Sequence, residues 1–359
     1  MKIGIVTYHR SHNYGALLQA IALRKVLTDM GHDVTFVDYW PNYQRDRYSL
    51  FSLNWLMKTQ KGLSKKLKYV KNCVGNFNYR KNRKGVFNSF ISEYILPFVS
   101  SCSDAYDIII HGSDQIWRKQ PEINAYDPVY FGNSNINAPQ KISYAASMGF
   151  LPIEKDISIL KENLSFLDCI SVRESNLLEF LSKIGCSARQ DLDPTLLLTS
   201  SRWKKFMGLK DIDKSYVLYY KLRDTFDIDK IKEFAKMHNC GLRIISGKDY
   251  RDYSEDIHHE IEDPKQFLEL FNSASYVFTS SFHGLAFALL FHKSFYASFN
   301  KVDRAYSLLS SLGLLNRLLK PKDSIPCEDA EIDYKRVDNT LEILRENSLS
   351  YLVGQCIAV

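Results

Sequence analysis

A histidine stands between two apolar segments in "TSSFHGLAFALLFHKSF", residues 279–295. Before His283, "ASYVFTSS" reads as a buried strand; after it, "GLAFALLF" reads as the start of an apolar helix. Imidazole titrates near neutrality, so a histidine at such a corner suits proton transfer; packing is the competing role. Ser280 and Ser281 place two hydroxyls ahead of it, and Gly284 leaves room beside it. Three other loops carry polar groups. In "TYHRSHNYGALLQ", Gly15 lets the backbone approach a ligand, and the N–H groups opening the helix favour an anion or a sugar hydroxyl. Asn13 there either bonds a ligand or caps the helix. In "IIIHGSDQIWRKQ", Ser113, Asp114 and Gln115 follow Gly112; Trp117 is either a flat platform for a sugar or a core residue, and Asp114 a ligand contact or a cap. "ISVRESN" puts Arg173 at a strand end. It makes either a surface ion pair or, if buried, a planar fork for phosphate or carboxylate. No GxGxxG occurs in the first loop, which disfavours a dinucleotide site.

These loops need a frame to hold them. "KIGIVT" (2–7), "DVTFVDY" (33–39), "YDIIIHG" (106–112), "KISYAAS" (141–147) and "CISVRE" (169–174) read as short strands. Leu17, Leu18, Ile21, Ala22 and Val26 recur at helical spacing before Gly31, and "SNLLEFLSKIG" reads as a second helix. "DPTLLLTSSRWKKF" (193–206) breaks the alternation as a crossing linker, after which strand and helix signals resume from "SYVLYYKL" (215–222). The pattern predicts an α/β chain with two Rossmann-like, doubly wound domains facing a cleft. They span 1–195, with a basic helical insert at 41–100, and 196–359. Ligands of such sheets bind at the carboxyl ends of the strands. That rule selects the loops at 8–15, 111–118, 171–175, 246–250 and 279–284.

The chain has 359 residues, 45% of them apolar, enough for two cores. No window reaches the roughly 18 uninterrupted apolar residues of a membrane span, and "MKIGIVTYHR" reads as a strand rather than a signal peptide. Seven scattered cysteines, with no CxxC pair, point to reduced thiols, a cytoplasmic setting and no metal site. The net charge of +6 is uneven. Residues 41–90 hold twelve Lys or Arg and one acid, while the remainder holds 35 bases and 40 acids. "YSLFSLNWLMKTQKGLSKKLKYVKN" mixes Leu, Phe and Trp55 with Lys61, Lys65, Lys66 and Lys68. It reads either as a segment meeting an anionic membrane surface or as a solvated basic helix pair with its apolar residues turned inward. No nucleic-acid reader motif accompanies it.

The ordered set "HNYGALLQA", "HGSDQIW", "SYAASMG", "SVRESN", "DPTLLL" and "TSSFHGLAFALLF" resembles the polysaccharide pyruvyl transferase family, with "DRAYSLLSSLGLLNR" (303–317) extending the match. The resemblance implies a fold similar to the two-domain GT-B glycosyltransferases. It implies transfer of pyruvate from phosphoenolpyruvate to two hydroxyls of one sugar, in a surface or capsular polysaccharide precursor. The product is a cyclic ketal, and phosphate is released. It needs no cofactor beyond phosphoenolpyruvate as co-substrate, and a sugar or lipid-linked oligosaccharide is the acceptor. By this resemblance His283 is the proton donor, and Ser280, Ser281 and Gly284 bind the donor. Asn13, Gly15, Ser113, Asp114 and Trp117 face the acceptor. Family members usually carry Arg-x-His-Gly, and here Ser281 stands at the Arg position. Arg173, Lys221, Lys301 or Arg304 is then expected to supply the missing charge.

Two alternatives follow from the same residues. A GT-B-type sugar-nucleotide glycosyltransferase would share the fold, but retaining members often carry E-x7-E, whereas Glu262 and Glu269 enclose six residues. The lost Arg also suits a non-catalytic glycan-binding relative.

Overall fold

The computed structural model describes residues 1–60, 62–212, 215–246, 257–259, 262–299, 303–326 and 331–357. The chain forms two compact units, Met1–Leu197 with Asn347–Val359, and Leu198–Glu346.

The first unit opens with β1 (Lys2–Val6), α1 (Tyr14–Asp29) and β2 (Asp33–Val37). Four helices follow: α2 (Asn42–Tyr48), α3 (Leu53–Thr59), α4 (Leu63–Gly75) and α5 (Phe77–Tyr94). Then come β3 (Val99–Ser100), β4 (Ile108–His111), β5 (Gln140–Ser143), α6 (Ile157–Leu164), β6 (Ser171–Val172), α7 (Ser175–Lys183), β7 (Arg189–Gln190) and α8 (Pro194–Leu197). The sheet runs β3-β2-β1-β4-β5, all parallel. The β6–β7 pair extends it, because Ser143 N donates to Cys169 O and Ala146 N to Ser171 O, both at 3.0 Å. Strands β1 and β4 are apolar along their length because helices cover both faces of the sheet, as a parallel sheet requires. Helix α1 is buried from Tyr14 to Leu23, so its one long polar side chain there, Gln19, needs internal partners. It donates to Thr7 Oγ1 and Ala16 O, both at 2.9 Å, and accepts from Ser113 N at 3.0 Å.

The second unit begins with α9 (Ser200–Met207), β8 (Tyr216–Lys221), α10 (Ile228–Met237), β9 (Gly241–Ser246) and β10 (Ile257–His259). It continues with α11 (Pro264–Ser273), β11 (Tyr276–Thr279), α12 (Phe282–Leu290), β12 (Ser294–Ser298), α13 (Asp303–Ser311), β13 (Leu318–Leu319) and α14 (Tyr334–Ile357). Its sheet is β10-β9-β8-β11-β12-β13, again parallel. Helix α12 is apolar all round and every residue of it is buried, the expected fate of such a sequence. The start of α11 is fixed by a reciprocal cap: Asp263 accepts from Gln266 N while Gln266 bonds back to Asp263 N. Each unit is thus a doubly wound Rossmann-like α/β sheet.

Two expectations are corrected here. The segment at 193–206 is not a bare linker; Leu196, Leu197, Leu198 and Trp203 are buried, and their side chains draw it into two helical turns, α8 and α9. The end of the chain was expected with the second half. Instead Asn347–Val359 belongs to the first unit, because the last turns of α14 carry groups that complete its sheet. Tyr351 donates to Ser143 O at 3.0 Å, Ser348 Oγ accepts from Leu192 N at 3.0 Å, and Gln355 Oε1 accepts from Gln140 at 3.0 Å. Tyr351→Phe is expected to cost about 1–2 kcal/mol, because it leaves the buried Ser143 carbonyl without that donor. Denaturant unfolding measures this, and an unchanged midpoint would mean that the helix end does not dock there.

Candidate active site

In the second sheet the chain winds outward from β8 to β9 and β10 on one side, and from β11 to β12 and β13 on the other. The order therefore reverses between β8 and β11, and the loops leaving these two strands part above the sheet. Those loops are 222–226 and 280–281, and α12 starts directly behind the second. Ser280 ties them together: its Oγ accepts from Leu222 N and Arg223 N, both at 2.9 Å. The hydroxyl proton of Ser280 is then directed away from both. Ser281 has an extended backbone and caps α12, its Oγ accepting from Gly284 N at 3.5 Å. Thr279 Oγ1 accepts from Ser281 N at 3.1 Å.

Gly284 is fixed by close approach. A Cβ there would lie 2.2 Å from Thr279 Oγ1 and 2.8 Å from the Tyr220 ring. The first turn of α12 is pressed onto the ends of β8 and β11, and His283 is carried in that turn, buried, edge-on to Phe282. Lys221 closes β8, is largely buried, and pairs with Asp224 at 2.5 Å. Arg223 is exposed in the same loop. Thr225 donates to Ser298 O at 3.0 Å and folds the loop toward β12, where Ser298 Oγ is buried without a hydrogen-bond partner among the described residues.

His283, Ser280, Ser281, Gly284 and Lys221 thus converge at one switch point. Lys301 and the expected loop beyond Ser246 lie outside the described residues. Arg304 falls in α13, but its side chain lies outside them as well. Arg223 was missed from the sequence. Its position five residues before Ile228, the first residue of α10, in a loop without Gly gave no local signal.

In the first unit the order reverses between β1 and β4. The sequence-selected loops 8–15 and 111–118 both leave the sheet there, but their side chains face largely inward. Asn13 resolves as the cap of α1, accepting from Ala16 N at 3.1 Å, and Gly15 is buried in the first turn. Ser113 donates its hydroxyl to Ala145 O at 2.7 Å and is fully buried. Gly112, with φ of 139°, passes so close to the next strand that a Cβ would lie 2.1 Å from Tyr144 O. Asp114 holds a left-handed φ of 72°, uncommon outside glycine, and keeps part of its carboxylate in solvent.

Two expected contacts are overturned. Trp117 is not a sugar platform. It is fully buried, its indole N–H donates to Tyr130 O at 2.9 Å, and its ring stacks on Phe131 at 5.2 Å. Arg173 does not present a fork to an anion. Its guanidinium is buried against Asp193 at 2.5 Å, Glu174 at 3.4 Å and Asp114 at 3.7 Å. Burial opposes its charge, but the Glu174, Asp193 and Asp114 carboxylates outweigh that and raise its pKa. Three acids around one cation leave no positive potential there for phosphate or carboxylate. Asp193 also accepts from Thr195 N and Thr195 Oγ1, so the cluster links the loop after β6 to the start of α8.

Two buried histidines lie near the ends of β1 and β4, His9 three residues past β1 and His111 as the last residue of β4. His9 stacks on Phe36, its Nδ1 lying 3.0 Å from Thr7 O. Burial lowers its pKa to about 4. His111 is fully buried and lowered to about 3, by burial first and by Lys141 second. Both are neutral at pH 7.

The polysaccharide pyruvyl transferase family model matches residues 13–298. The chain belongs to this family. It is therefore a transferase, and pyruvyl transfer to polysaccharide is the activity of its family. Curated proteins provide no match. Among solved structures, the chain is similar to Neisseria meningitidis UDP-GlcNAc 2-epimerase bound to UDP-GlcNAc. They share 12% identity over 98% of this chain and 100% of that one, with a TM-score of 0.47. Similarity to E. coli heptosyltransferase WaaC is at 11% identity over 95% and 99% of the two chains, TM-score 0.41. Similarity to spinosyn forosaminyltransferase SpnP is at 8% identity over 98% and 95%, TM-score 0.42.

Two outcomes follow from the buried charges. Unfolded histidine titrates near 6.5, so on acidification the unfolded chain takes up protons before the folded one. The stability from keeping His9 and His111 neutral is complete above about 6.5. It is lost as pH falls toward about 4 and about 3, at up to ~1.4 kcal/mol per pH unit for each. Unfolding free energy measured from pH 7 to 5 should show this slope, and His111→Leu should flatten it; an unaltered slope would contradict the assignment. Arg173→Ala should destabilise the fold by about 3–5 kcal/mol, since it strands buried carboxylates. Loss of donor affinity with undiminished stability would return Arg173 to a binding role.

Proposed function

We propose that this transferase moves the pyruvyl carbons of phosphoenolpyruvate onto two hydroxyls of one sugar, with His283 as proton donor. The observation that carries the reading is the placement of His283 in the first turn of α12, at the reversal between β8 and β11. Chemistry asks for an acid there. The methylene carbon of the enol phosphate must gain a proton, and the cation that develops at the central carbon is captured by the first sugar hydroxyl. The second hydroxyl closes the ketal as the C–O bond to phosphate breaks. Of the two protons leaving the hydroxyls, one replaces the proton given to the new methyl group and the other departs with inorganic phosphate. An imidazole that donates and is then reprotonated by a hydroxyl balances the cycle without a further acid.

The donor carries a phosphate and a carboxylate, and the family Arg two residues before His283 is here Ser281. Lys221 and Arg223 bring cationic side chains to the same loop region, and Ser280 keeps a hydroxyl proton to donate. Together they suit the donor's anionic groups. Lys301 and Arg304, which follow β12, are further candidates for the missing charge. In the first unit, Asn13 and Asp114 are the expected acceptor residues that retain partial exposure; the Asn13 side chain caps α1, so Asp114 is assigned to a sugar hydroxyl.

The test is incubation with phosphoenolpyruvate and synthetic or lipid-linked glycans, read as phosphate release and a mass gain of one pyruvate ketal. His283→Ala should lower turnover by ~10²–10⁴ with the fold intact. Near-normal turnover in the folded variant would remove His283 from the chemistry. Arg223→Ala should raise the KM for phosphoenolpyruvate roughly tenfold or more, leaving that for the glycan close to wild type.

A further inference from the structure

The insert between β2 and β3 presents an apolar stripe to solvent. Along α4, Leu63, Leu67, Val70 and Val74 recur at helical spacing and so share one side of the helix. All four are exposed, Leu63 at 75% and Val74 at 73%. A different side of α4 holds it to the body: Tyr69 OH accepts from Ser52 N at 3.2 Å, and Cys73 is buried. Helix α3 turns Leu53 and Met57, one turn apart, outward as well. Lys66 Nζ lies 3.5 Å from Met57 Sδ, so α3 meets α4 beside the stripe. The inward-turned reading of these leucines is overturned. The neighbouring half-buried Trp55 is instead held beneath the Arg47 guanidinium at 5.9 Å.

The charge around the stripe is of one sign. No Asp or Glu occurs between Asp46 and Glu93, while Lys58, Lys65, Lys68, Lys71, Lys81 and Lys84 do. We propose that this face docks on an anionic lipid bilayer, with Leu63, Leu67, Val70 and Val74 entering the boundary of head groups and acyl chains and the lysines meeting the lipid phosphates. Two properties select this occupant. A second copy of the chain would bring two strongly basic inserts together, which like-charge repulsion opposes. A nucleic acid would satisfy the lysines but would leave a leucine stripe against phosphate. An anionic bilayer satisfies both, as an amphipathic basic helix requires.

Co-sedimentation of the full chain decides it, with vesicles of phosphatidylcholine alone and of phosphatidylcholine mixed with phosphatidylglycerol. Binding is expected to the mixed vesicles only, and to weaken as salt is raised. Leu67→Gln/Val74→Gln changes two exposed residues, so the fold should persist by circular dichroism while vesicle affinity falls at least about tenfold. Lys66→Gln/Lys71→Gln, which removes the lysines flanking the stripe on α4, should lower it as well. Equal recovery with both vesicles, absence of binding to the mixed vesicles, or wild-type binding by the leucine–valine variant would overturn the proposal. So would a wild-type dimer that Leu67→Gln/Val74→Gln dissociates in analytical ultracentrifugation, which would make the stripe an interface between copies.

Discussion

The second unit depends on one close approach. At Gly284 the first turn of α12 lies against the ends of two neighbouring strands with no space for a side chain, Thr279 on one side and Tyr220 on the other. That contact fixes where the helix begins. Ser281 can then cap it, and Ser280 is left pointing at the backbone of the loop after β8, which it ties down. His283 inherits its place from this arrangement. It sits on a buried apolar helix, a placement that suits the proton-donor role proposed for it. Any larger residue at 284 would lift the helix end and displace the histidine with it.

The first unit has the same winding but a different use of charge. Its loops at the reversal between β1 and β4 are held by buried polar bonds: Gln19 to Thr7 and Ser113, Ser113 to Ala145, and Arg173 to the acids around it. Such a network is stiff because leaving any member unpaired in the interior is costly. It leaves few polar groups for a ligand, and Asp114, in its left-handed conformation beside Arg173, is one of them.

The alternation of strand and helix was legible because parallel strands buried on both faces give short apolar runs, and the loops at their ends could be named from it. The corner at 279–284 was legible for the same reason as a strand running into an apolar helix, but that Ser281 caps α12 and that Gly284 is pressed against Thr279 and Tyr220 was not. What was not legible depends on partners distant in the chain. Whether Arg173 meets solvent or three carboxylates turns on Asp114 and Asp193. Whether Trp117 faces out turns on Tyr130 and Phe131. The return of α14 to the first unit rests on Ser143, some two hundred residues before Tyr351. The insert's composition announced an unusual surface, but only the packing of Tyr69 and Cys73 shows which side of α4 is left outside.

In the proposed reaction a proton is delivered to the methylene carbon of the donor at the α12 corner. Running the reaction with phosphoenolpyruvate and acceptor glycan in deuterium oxide tests it most directly, because the deuterium count of the product methyl group can be read by mass spectrometry. One deuterium per ketal is expected in the methyl group. A ketal whose methyl group carries no deuterium, or a glycan product lacking the ketal altogether, would contradict it.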